Sequence, residues 1–114
     1  MDINYVYNAK VVKWVDGDTV DLMVDLGFKI YHEMRLRLIG LDTPERGQAG
    51  YNEARMFDES LAPVGNLVQI QTFKPQKADK YGRYLVYIES NGVSINAELL
   101  SKGLAVPYDG GTKL

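Results

Sequence analysis

Hydrophobic and polar residues alternate in two consecutive stretches early in this chain. From Thr19 to Leu26, Val20, Leu22, Val24 and Leu26 fall on one face, and Thr19, Asp21 and Asp25 on the other. A period of two with one apolar face predicts a half-buried antiparallel strand. From Ile30 to Ile39 the alternation resumes, with Met34, Leu36 and Leu38 inward and Glu33, Arg35 and Arg37 outward. Gly27 marks the return between the two, and Gly40 a bulge or bend after the second. Ahead of them, Tyr5 to Val15 is rich in β-branched and aromatic residues and reads as a strand. Asp16-Gly17-Asp18 is the turn that follows it.

Beyond Gly40 the period changes. Asp42 to Gly50 is a polar loop. Tyr51 to Leu61 is spaced for a helix, with Tyr51, Ala54, Phe57 and Leu61 inward and Asn52, Glu53, Arg55 and Asp58 toward water. Pro63 and Gly65 end it. Leu67 to Phe73 predicts a strand, Lys74 to Lys80 a loop, and Gly82 to Glu89 a further strand before the turn Ser90-Asn91-Gly92. Asn96 to Lys102 predicts a short helix, with Gly103 as its C-terminal cap. The order predicts a mainly β protein. Its architecture is a five-stranded Greek-key barrel of the OB type, with one helix after strand 3 and a short C-terminal helix.

Composition narrows the function classes. The 114 residues are expected to form a single domain spanning 1–114, and 46% hydrophobic residues supply a packed core. Cysteine is absent, which excludes disulfides, Cys-ligated zinc and thiol catalysis. The single histidine, His32, argues against His-based zinc or triad chemistry. No apolar run approaches the roughly 18 residues that span a membrane, so no membrane partner is expected. MDINYVYNAK lacks a basic segment followed by an apolar one, so an intracellular setting is expected. A net charge of -2 argues against a strong, nonspecific nucleic-acid binder but leaves room for a local basic cleft.

The candidate chemistry sits in three polar segments: VDGDTV, RLIGLDTPER and DKYGR. Asp18 and Asp42 each read alone as turn or loop residues, but together they place two carboxylates at strand ends. A site of carboxylate and carbonyl oxygens suits a hard cation such as Ca²⁺ or Mg²⁺. Glu45 is either a solvated loop acid or a group that orients or deprotonates a water. Arg37 and Arg83 either make surface salt bridges or hold a phosphate through their planar donor forks. Lys80, Tyr81 and Tyr108 can flank a bound strand, although ordinary surface packing uses the same residues. Acids and arginines together point to chemistry on a phosphate ester.

These three segments, in this order and at these separations, resemble the staphylococcal nuclease (thermonuclease) family. The resemblance runs from Val11 to Ala105, and INAELLSKGLA is similar to the family's helix after the last barrel strand. It implies an OB-fold barrel and a Ca²⁺-dependent endonuclease. The substrates implied are DNA and RNA, cut at the bond to the 5′ oxygen to leave 3′-phosphate ends. It further implies that Asp18, Asp42 and the Thr43 carbonyl ligate Ca²⁺, that Glu45 acts on the attacking water, and that Arg37 and Arg83 hold the scissile phosphate. Lys80 and Tyr81 match positions near the bound nucleotide, and Tyr108 matches the family's later tyrosines. A monomer is expected. The pI near 5.3 implies weaker substrate engagement at physiological salt than a basic member would show. The alternative is a catalytically silent OB-fold module that binds nucleic acid or protein. Such modules usually lose catalytic acids or arginines, and this chain keeps the full set.

Overall fold

The computed structural model describes residues 5–75 and 81–108. The chain runs β1 (Val6–Asp16), β2 (Thr19–Asp25), β3 (Tyr31–Leu38), β4 (Leu41–Asp42), α1 (Tyr51–Leu61), β5 (Leu67–Phe73), β6 (Leu85–Ser90), β7 (Val93–Ser94), α2 (Ile95–Ser101) and β8 (Val106–Pro107). The long strands pair antiparallel in the order β3-β2-β1-β5-β6. Parallel pairing of β3 with β6, Arg37 opposite Leu85 and Leu38 opposite Val86, closes them into a barrel. This is the expected five-stranded OB barrel with its two helices.

The alternating strands place Val11, Leu22, Leu36, Ile70 and Ile88 inside, one from each barrel strand. Ala54 of α1 and Ile95 and Leu99 of α2 join the same core. Two polar side chains tie the helices to the barrel. The Trp14 indole N–H donates to the Ala62 carbonyl at 2.9 Å, fixing the end of α1 against β1. Buried Asn96 accepts from the Ile88 N–H and donates to the Ile39 and Val86 carbonyls. It thereby satisfies backbone groups on both sides of the β3–β6 seam.

Four details differ from the sequence reading. Leu26 is 42% exposed rather than inward, because β2 ends at Asp25 and the chain turns at Gly27. The strand expected from Gly82 begins only at Leu85, since Gly82 takes a left-handed φ of 65° that breaks extension. A second, two-stranded sheet joins β4 to β8, with Leu41 opposite Pro107. Asp58, expected in water, is fully buried on α1.

Candidate active site

The first site residue owes its position to a tight fit. Gly17 and Asp18 form the turn between β1 and β2, and that turn lies directly under α1. A Cβ on Gly17 would sit 2.7 Å from the Ala54 Cβ and 2.9 Å from Thr43 Oγ1, so only glycine fits without displacement. The Tyr51 hydroxyl, from the first turn of α1, donates to the Val15 carbonyl at 2.9 Å and braces the same turn.

Asp18 is thereby turned inward and buried. Its Oδ1 accepts from the Thr19 hydroxyl at 3.0 Å, and its Oδ2 accepts from the Thr43 backbone N–H at 3.2 Å. Arg37, on the outward face of β3, points Nη2 at both acids. It donates to Asp42 Oδ1 at 2.9 Å and lies 3.5 Å from Asp18 Oδ2. Three half-buried or buried charges thus meet at one point. Burial pushes the Asp18 carboxyl above its ordinary range, and the nearby Asp42 carboxyl adds to this. The Thr43 N–H and the Arg37 charge oppose the shift without cancelling it.

Tyr108 packs under Arg37, with the guanidinium carbon 5.1 Å from its ring centroid, a cation–π contact. Its backbone N–H is held by the Gly40 carbonyl at 3.0 Å. The barrel closure brings in the remaining arginine. The Arg37 N–H donates to the Tyr84 carbonyl at 3.0 Å, so Gly82–Tyr84 runs beside Arg37. Within that segment the Arg83 guanidinium lies over the Tyr81 ring at 5.0 Å.

Asp18, Arg37, Asp42 and Thr43 therefore converge, with Tyr108 against them and Arg83 and Tyr81 in the neighbouring segment. Glu45 is exposed on the loop after Thr43. Its backbone is fixed by Gln48, which accepts from the Glu45 N–H through Oε1 at 2.8 Å and donates its own N–H to the Glu45 carbonyl at 2.9 Å. Lys80 lies outside the described residues.

Two features near the site were not read from the sequence. One is Gln48, whose role in shaping the Glu45 turn carries no motif. The other is Asp58, one helical turn after Ala54. Neither of its carboxyl oxygens has a hydrogen-bond partner among the described residues. Burial pushes its pKa up to about 9, with the negative charges of Asp18 and Glu59 adding to the effect. Asp58 is thus a neutral acid at pH 7.

No group of three or more Asp, Glu, His or Cys side chains converges on one point among the described residues. What does converge is two carboxylates, Asp18 and Asp42, both hard oxygen donors, with the Thr43 backbone N–H bonded to Asp18. Burial disfavours the charged form of Asp18, and a cation held by the two carboxylates would offset that, so the residues fit a hard ion.

A protein-family model described as staphylococcal nuclease homologue matches residues 35–113. The chain belongs to the staphylococcal nuclease family. It is 32% identical over 111 residues to the micrococcal nuclease of Shigella flexneri, covering 90% of this chain and 59% of that one. It is 32% identical over 106 residues to endonuclease YncB of Bacillus subtilis, covering 86% of this chain and 46% of that protein. An uncharacterized protein of Methanocaldococcus jannaschii, MJ1439, is 31% identical over 135 residues, covering 95% of this chain and 62% of its own length. The chain thus spans less than two thirds of the length of each of these relatives. Among the described residues no helix is long and apolar enough to cross a membrane.

Proposed function

We propose that the protein is a Ca²⁺-dependent endonuclease that hydrolyses the phosphodiester bonds of DNA and RNA and leaves 3′-phosphate ends. The observation that carries this reading is the meeting of Asp18 and Asp42 at the single nitrogen Arg37 Nη2. Family membership and the named nucleases among the relatives support it.

Asp18, Asp42 and the Thr43 carbonyl are the groups that would hold Ca²⁺. A bound Ca²⁺ would supply charge neutralisation to the phosphate oxygens. The protein's own residues do the rest. Arg37 and Arg83 bind the nonbridging oxygens of the scissile phosphate through planar donor forks. They stabilise the negative charge that grows there as the water oxygen bonds to phosphorus. Glu45 accepts the proton of that water. The bond from phosphorus to the 5′ oxygen breaks, and that oxygen takes up a proton from solvent. The phosphate remains on the 3′ oxygen. Tyr81, Lys80 and Tyr108 flank the strand.

The chemistry of the new ends tests this reading. Products of single-stranded DNA cleavage should fail to prime a DNA polymerase until a phosphatase removes the 3′-phosphate. Ends that prime directly would overturn the assigned bond.

A further inference from the structure

A groove of about 480 Å³ opens between the end of β1, the start of β2, the middle of β3 and Tyr81–Tyr84. This volume lies within the usual range for small-molecule sites. Its wall includes Asp16, Met34, Arg35, Tyr81, Arg83 and Tyr84, but not Asp42, Glu45 or Tyr108. It extends away from the proposed site, sharing Tyr81 and Arg83 with it and touching it through Thr19, whose hydroxyl donates to Asp18.

The wall has the chemistry of a nucleoside site. Tyr84 is 42% exposed and offers a ring, and Tyr81 beside it is stacked with Arg83. Exposed aromatic faces hold bases of any sequence by stacking. Arg35 is pre-set: its Nε and Nη2 donate to the Asp21 carboxylate at 2.8 and 3.1 Å, yet its side chain is 55% exposed. It shares the outward face of β3 with Arg37, about 7 Å along the strand, so its exposed guanidinium lies where a strand leaving the clamp would pass. Asp16 would repel a phosphate but can accept from a base amino group or a sugar hydroxyl.

We propose that this groove is a second nucleotide subsite. It holds the nucleotide flanking the scissile phosphate on the side away from Tyr108. Tyr84 stacks its base, and Arg35 guides the strand beyond it. The inference rests on the nuclease reading above.

The test uses a thymidine dinucleotide, which has one cleavable bond, and its two versions with an abasic sugar on one side or the other. For the wild type, loss of the base on the groove side should lower kcat/KM about tenfold. Tyr84→Ala should erase that difference and keep the discrimination on the other side, while Tyr84→Phe should behave as wild type. Arg35→Gln should lower the salt dependence of binding a longer single strand by about one in slope. If Tyr84→Ala slows all three dinucleotides equally, or none, the subsite is overturned. If the wild type cleaves no DNA at all, the nuclease reading falls by itself. Binding of a fluorescein-labelled single-stranded oligonucleotide then decides the groove: affinity weakened about tenfold by Tyr84→Ala sustains it, and unchanged affinity overturns it.

Discussion

Arg37 donates through Nη2 to Asp42 at 2.9 Å, and both side chains are largely withdrawn from solvent. An arginine so placed has two roles in the proposed chemistry, balancing the acids before substrate binds and clamping phosphate afterwards. Lysine keeps the charge but presents no fork. Arg37→Lys should lower kcat by roughly 10²–10³, the usual loss for one transition-state donor, with a melting temperature close to wild type. Turnover within a few-fold of wild type would remove Arg37 from the clamp.

Glu45 is exposed on the loop that follows Thr43. Glu45→Gln should therefore leave thermal stability unchanged while reducing kcat by roughly 10²–10⁴, the range for a lost general base. Calorimetry and steady-state cleavage read the two separately. Undiminished turnover would show that another group handles the water.

Asp58 makes stability fall with rising pH. Its carboxyl titrates near the ordinary 3.8 in the unfolded chain but at about 9 when folded. Between those values the unfolded chain releases a proton that the folded chain keeps, so its contribution is full below the lower value and lost through the upper one. The slope reaches about 1.4 kcal/mol per pH unit. Burial raises Asp18 as well, which acts in the same direction. Urea unfolding at pH 5 and pH 8 in EGTA should show a large loss for the wild type and a much smaller one for Asp58→Asn. Parallel profiles for the two proteins would contradict the buried neutral acid.

Gly17 ties fold to site. Gly17→Ala drives a methyl into Ala54 and Thr43, and overpacking of this kind costs about 1–3 kcal/mol. It also displaces Thr43, whose carbonyl is a proposed Ca²⁺ ligand, so Ca²⁺ affinity should fall together with stability. Adding Ala54→Gly makes room and should recover part of the affinity. A Gly17→Ala protein with wild-type melting and Ca²⁺ titration would show that the turn has slack.

Local pattern made most of this architecture legible. The helix bounds Tyr51 and Leu61 and the strand bounds Leu67 and Phe73 follow from periodicity and from the glycine and proline punctuation around them. The burial of Asp58 is hidden by its charge, although with Tyr51 and Ala54 it lies on one helical stripe, at spacings of three and four. The β4–β8 ladder is two residues long on each strand and joins distant parts of the chain, so no local signal announces it. The motif acids and Arg37 were visible as a set, but their shared contact arises from the turn at Gly17 and the closure of β3 on β6. Arg35 and Tyr84 belonged to no motif, and only the folded groove brings them together.

The most direct test is cleavage of single-stranded DNA at low salt by the purified protein, with added Ca²⁺ and again with excess EGTA. Ca²⁺-dependent cleavage that EGTA abolishes is the predicted result. A folded protein that cleaves nothing in Ca²⁺, or cleaves equally in EGTA, would contradict the proposed Ca²⁺-dependent nuclease.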